Sequence, residues 1–201
     1  MRNFQHSLLW ICITLFSLNG YGQITFTALT PGTIQNLRGI SFADTNTGYV
    51  CGDTGVIIKT TDGGATWSAL TTGTTADFWD IKVIPNTGGQ KVVVVGDNST
   101  ILKSLDGGAT WTAQSIPFSS GSFVFGVQCF DSLNYIACGG DGTTLSGAVL
   151  RTSDGGATWI ETTVTASGFL DKISMLDMAT GFAVGFDPTF PLATALLEYT
   201  F

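Results

Sequence analysis

The chain has 201 residues, 26 of them glycine and only 11% charged, with a net charge of -7; this acidic balance, with no basic patch, excludes a nucleic-acid partner, whose phosphates it would repel. Its one histidine, His6, lies in the first two dozen residues, so the rest of the chain has no imidazole for Ser-His-Asp or Cys-His catalysis or for histidine-ligated zinc. Threonine, valine and aromatic residues fill much of the remainder, a composition of strands and turns.

The chain opens with Arg2 followed by an apolar run from Leu8 to Leu18, and the small residues Gly20 and Gly22 precede Gln23. Residues 1–22 therefore read as a signal peptide, which predicts a secreted, cell-surface or periplasmic protein. The run is far shorter than the roughly 20 residues of a spanning helix, so no membrane span is expected after the signal is removed. Bulky Ile11 before Cys12 argues against lipidation. Next, Ile24 to Thr33 (ITFTALTPGT) copies Ala65 to Thr74 (ATWSALTTGT), with Phe26 in the place of Trp67. Residues 24–33 thus read as a lone outer strand.

From Leu37 onward the chain repeats itself. LRGISFADTNTGYVCG (Leu37 to Gly52) aligns without a gap on LDKISMLDMATGFAVG (Leu170 to Gly185), and FWDIKVIP with VVVVGD, then VFGVQCFD with YIACGG, supply two more copies. Each reads as a strand, a turn and a second strand, followed by a third (VIIKT, TILKS, AVLRT). The third strand runs into TTDGGATW, SLDGGATW or TSDGGATW, whose aspartates Asp62, Asp106 and Asp154 lie 44 and then 48 residues apart. This is the period of a four-stranded blade. The blades are expected over 37–74, 78–116, 124–165 and, incompletely, 170–201.

The turn motif explains its own shape. Asp62, Asp106 and Asp154 precede the glycine pairs Gly63–Gly64, Gly107–Gly108 and Gly155–Gly156, which take positive φ at least cost. Each carboxylate can accept N–H groups that the turn leaves unpaired, and Thr60, Ser104 and Thr152 add a second local acceptor. Trp67, Trp111 and Trp159 then pack beneath the turn and staple the third strand to the fourth. Recurrence in successive blades favours a structural role over metal ligation or acid catalysis, and no metal or cofactor site is expected.

These residues resemble the Asp-box, or bacterial neuraminidase repeat, propellers. The longer pattern, ending in I-x-K-T-x-D-G-G-x-T-W, looks like the photosystem II stability and assembly factor family, from Ile24 to about Leu197. The resemblance implies an all-β fold of about four four-stranded antiparallel β-propeller blades. Because the C-terminal EYTF stands where a fourth box would begin, an open arc of a larger propeller is favoured over a four-bladed ring closed by residues 24–33.

Asp-box propellers serve sialidases, xyloglucanases, receptors and assembly factors alike, so the fold does not name the function. The sialidase site needs three arginines, and after the signal this chain has two, Arg38 and Arg151. Glycoside hydrolysis by two carboxylates needs no histidine, and Asp77 and Asp80 flank Trp79. Assembly factors of the resembled family bind their partner through arginines; aligned on Arg38, the other blades here carry Trp79, Phe125 and Asp171, so that basic character is not repeated. Positions that differ between blades are where a specific function can be placed. The expected contact surface is therefore Arg38, Trp79, Asp80, Phe125, Asp171 and Lys172. The expectation is a secreted, non-catalytic scaffold that binds a protein or carbohydrate partner, the alternative being a fragment of a secreted Asp-box glycoside hydrolase. Cys51, Cys129 and Cys138 occupy core positions and read as free buried thiols, with a Cys129–Cys138 bond as the alternative.

Overall fold

The computed structural model describes residues 28–187 and 190–200, with side chains over 28–164 and 168–186. The expected signal peptide at 1–22 and residues 24–27 of the expected outer strand lie outside the described residues. Short turns between alternating segments make each strand pair antiparallel with its chain neighbour. The first sheet is β1 (Leu37–Phe42), β2 (Gly48–Gly52), β3 (Ile57–Thr60) and β4 (Ser68–Leu70), hydrogen-bonded in chain order. The second is β5 (Phe78–Val83), β6 (Val92–Gly96), β7 (Ile101–Ser104) and β8 (Thr112–Ala113). The third is β9 (Phe123–Cys129), β10 (Tyr135–Asp141), β11 (Ser146–Thr152) and β12 (Ile160–Ser167). The fourth has three strands, β13 (Phe169–Met175), β14 (Thr180–Asp187) and β15 (Phe190–Thr200). Residues 28–36 carry no strand.

These sheets are the blades of a propeller. Their first strands are innermost, β1 packing on β5, β5 on β9 and β9 on β13, and no comparable packing returns from β13 to β1 among the described residues. The arc is open.

The core lies between blades. In β6 every side chain of Val92 to Val95 is buried, but alternate residues go to different cores. Val92 and Val94 join Tyr49, Cys51 and Ile57 of the first blade. Val93 and Val95 join Val124, Ala137 and Leu150 of the third. Period-two alternation therefore makes each blade a sheet with two apolar faces. A third cluster, with Ile136, Cys138, Val149, Leu170 and Ala183, joins blades three and four.

One glycine is needed in every blade. At Gly52, Gly96, Gly139 and Gly185, on the second strands, a Cβ would lie 1.9 to 2.2 Å from a carbonyl oxygen at the start of the first strand or just before it, a contact only glycine permits.

Candidate functional site

Four irregularities in the pairing of the innermost strands build the site. In each blade one residue of the first strand has no partner on the second: Arg38 between Leu37 and Gly39, Trp79 between Phe78 and Asp80, Phe125 between Val124 and Gly126, and Asp171 between Leu170 and Lys172. Each is the extra residue of a β-bulge, which bends the strand and re-aims the side chain. The four most variable rim positions are thus the four that the backbone turns out of the ladder.

Three of these side chains touch in succession. The Arg38 guanidinium lies 4.0 Å from the centre of the Trp79 ring, a cation–π contact. Trp79 meets Phe125 edge to face at 5.1 Å between centroids. Phe125 stacks on Phe123 at 5.6 Å, and Phe169 and Phe186 lie 6.2 and 5.9 Å from it. The row is polar at one end and aromatic at the other. Phe125 is buried beneath its neighbours, Trp79 and Asp171 are half-buried, and Arg38 and Lys172 are exposed.

Carboxylates hold the polar end. Arg38 Nε donates to Asp53, which also accepts from Asn36 Nδ2 at 2.7 Å. The Arg38 guanidinium keeps the Asp53 carboxyl below the ordinary range, and the same hydrogen bond raises Arg38. Trp79 Nε1 donates to Asp97. Burial pushes the Asp97 carboxyl up, against the pull of that indole hydrogen bond. Neither aspartate belonged to the expected surface. Their signal is the Gly-Asp pair that follows the second strand in blades one and two only, Gly52–Asp53 and Gly96–Asp97; the third blade has Gly140 and the fourth Phe186 at that place.

Asp77 and Asp80, the acids beside Trp79, are turned to separate tasks. Asp77 Oδ1 accepts the Thr54 N–H of the first blade at 2.8 Å. Asp80 accepts from Lys82 Nζ at 2.7 Å and its own neighbour Ile81 N–H at 2.9 Å, and its other oxygen accepts the Val127 N–H of the third blade at 3.2 Å. Asp80 thereby ties blades two and three together.

The box turns close on themselves. Asp62 accepts the Thr66 N–H at 2.9 Å and the Thr66 hydroxyl at 2.6 Å, while Thr60 Oγ1 donates to it at 2.8 Å and accepts from the Gly64 N–H at 2.9 Å. Asp106 with Thr110, Ser104 and Gly108 repeats this, as does Asp154 with Thr158, Thr152 and Gly156. The threonine hydroxyl and N–H lower the three carboxyls to about 2. Trp159 lies 6.4 Å from Tyr135 of its own blade, ring centre to ring centre. Trp111 and Trp159 join the cores shared with the preceding blade, whereas Trp67, in the first blade, meets Phe42 edge to face.

Two lysines invisible to motif reading lace the blades. Lys59 Nζ donates to Gly107 O at 2.9 Å and Lys103 Nζ to Gly155 O at 2.6 Å, each reaching from a third strand into the next blade's box. The cysteines fall in separate places. Cys138 pairs opposite Gly126, three residues along β9 from Cys129, and the two side chains enter different cores. A Cys129–Cys138 disulfide is ruled out by that placement. Burial pushes the Cys51 and Cys129 thiols up to about 12.

A family model described as Photosynthesis system II assembly factor YCF48 matches residues 23–190. No curated protein matches the chain. Among solved structures, YCF48 bound to D1 peptide is 19% identical with a TM-score of 0.61, covering 89% of this chain and 61% of that one. YCF48 from Cyanidioschyzon merolae is 18% identical with a TM-score of 0.60, covering 82% and 50%. The GH74 enzyme of Niastella koreensis is 15% identical with a TM-score of 0.59, covering 82% and 28%. At these identities the likeness is one of fold, and the chain spans about three fifths of the first structure's length and half of the second's.

Proposed function

This chain belongs to the Photosynthesis system II assembly factor YCF48 family, and on that premise we propose that it is an exported, non-catalytic propeller that binds a segment of another protein along its bulged rim. The observation that carries the reading is the row Arg38, Trp79, Phe125: one exposed guanidinium, one half-buried indole and a buried aromatic bed, in contact and fixed by successive bulges. A rigid row of this kind offers an apolar anchor beside a cation, the residue types that dominate protein recognition. A relative solved with a peptide bound supports a protein ligand over a glycan. Arg2, the apolar run from Leu8 to Leu18 and the small residues Gly20 and Gly22 support export.

Selection of a displayed random-peptide library on the purified chain tests the site. Selected peptides should lose at least about tenfold in affinity, about 1.4 kcal/mol, to Trp79→Ala and Arg38→Ala, and keep it in Thr112→Ala on an outer strand. Peptides that bind all three variants alike would place the site elsewhere.

A second reading rests on Asp97. Its carboxyl, pushed up by burial, lies against Trp79 and feels Asp77, Arg38 and Asp53, and a carboxyl shifted upward beside an aromatic ring is the direction that glycosidic protonation requires. Release of reducing ends from xyloglucan, abolished by Asp97→Asn, would favour a hydrolase. No release at high enzyme concentration would leave the binding reading alone.

A further inference from the structure

A bulge frees a side chain and also leaves it unheld. Arg38, Trp79, Phe125 and Asp171 have no partner on the second strand, so no residue directly opposite fixes them. Two of the four carry a side-chain N–H, and each of these is tied within its own blade, Arg38 Nε to the Asp53 carboxylate and Trp79 Nε1 to the Asp97 carboxylate. Both acids directly follow the second-strand glycine, as Gly52–Asp53 and Gly96–Asp97. Where the bulge residue has no side-chain N–H, as at Phe125 and Asp171, that place holds Gly140 and Phe186. Donor and acceptor come and go together across the blades.

The acids are themselves anchored to the strand they serve. The Asp53 N–H donates to Asn36 O at 3.0 Å and the Asp97 N–H to Asp77 O at 2.9 Å. Those carbonyls stand two residues before Arg38 and Trp79, and they are the ones that a Cβ on Gly52 or Gly96 would strike, at 2.0 and 2.2 Å. The glycine permits the approach, the next N–H fastens the two segments together, and the carboxylate beyond it reaches the bulge. From the other side the Asp53 and Asp97 carbonyls accept the Val56 and Thr100 N–H groups at 3.2 and 3.1 Å. Asp77 Oδ1 braces the first of these turns by accepting the Thr54 N–H at 2.8 Å, which sets the two blades together. Both oxygens of Asp53 are engaged, one by Arg38 and one by Asn36 Nδ2, so Asp53 acts through the guanidinium it holds.

We infer that Asp53 and Asp97 are the positioning residues of the rim, holding the Arg38 guanidinium and the Trp79 indole in the pose that meets a bound segment; this rests on the rim-binding reading above. Held in this way, the two side chains have already lost the freedom that binding would otherwise take from them. The two acids differ in what they must supply. A neutral indole N–H needs only an acceptor oxygen, which an asparagine also provides, whereas the guanidinium is held by opposite charge as well. Asp97→Asn should therefore keep the pose of Trp79, and Asp53→Asn should keep that of Arg38 only in part.

The test uses the chain labelled with fluorotryptophan, together with a peptide selected on the wild-type chain that loses affinity to Trp79→Ala. The fluorine resonance that Trp79→Phe removes belongs to Trp79. It should move toward the position of free fluorotryptophan in Asp97→Ala and stay in place in Asp97→Asn, at unchanged circular dichroism. Peptide affinity should fall roughly threefold to tenfold in Asp97→Ala, as expected for the ordering of one side chain, and by less than about twofold in Asp97→Asn. Asp53→Ala should weaken the peptide in the same range, and Asp53→Asn by an intermediate amount. A Trp79 resonance unmoved by Asp97→Ala overturns the inference. So does full affinity in that variant, or a loss as large in Asp97→Asn as in Asp97→Ala, which would make the carboxylate a direct contact. A library that yields no peptide sensitive to Trp79→Ala fails the rim-binding reading instead, and the fluorine resonance still decides whether Asp97 positions the indole.

Discussion

The smallest unit of this protein is a turn of eight residues whose aspartate and hydroxyl take up N–H groups of the turn itself. Thr60, Ser104 and Thr152 are buried, and each hydroxyl accepts the N–H of a glycine four residues on. Ser104→Ala strands the buried Gly108 N–H and should cost about 1–3 kcal/mol, measured by denaturant melts, with no loss of peptide binding at the rim. The carboxylates of the same turns govern acid stability. Their folded value of about 2 lies below the ordinary 3.8, so their contribution is complete above the ordinary value and is lost as pH falls toward 2. The melting temperature should drop between about pH 4 and pH 2. A triple Asp62→Ala, Asp106→Ala, Asp154→Ala variant should melt lower at pH 7 and respond less over that acid range; an unchanged slope would assign the acid loss to other groups.

At the scale of the strand, the same period-two alternation does two jobs, because each blade is buried on both faces. Leu150 of β11 is fully buried in the core between blades two and three. Leu150→Ala should destabilise by about 2–5 kcal/mol, whereas Ile40→Ala, on the same kind of apolar strand but exposed, should cost little in the single chain. Equal losses would show that the first blade's leading face is already covered. The bulges belong to this scale too. Gapless alignment of LRGISF with LDKISM shows Arg38 and Asp171 as equivalent, but it cannot show either as an extra residue, because a bulge is a relation between two strands. The contact surface was therefore legible as a set of variable positions, and its geometry was not. Asp80 varies between blades as well, and its hydrogen bonds to Lys82 and the Val127 N–H were equally invisible in the alignment.

For the whole molecule, four blades joined through three interblade cores make stability a sum over joints, as in other repeat proteins. Export is testable at this scale: in a secreting host the mature protein should begin at Gln23 by N-terminal sequencing, and retention of Met1 would remove the leader from the account. The blade, its period and its turns are all written in the sequence. Those depend on residues within one hairpin, on alternation that sends side chains to two faces, on glycines where positive φ is needed and on acceptors two to four residues from their donors. What each face meets depends on how the blades are placed side by side. Ile40 and Ile81 are the same residue at the same place in the repeat, one exposed and one buried. Burial is a property of the neighbouring blade, and no local pattern records whether that neighbour is there.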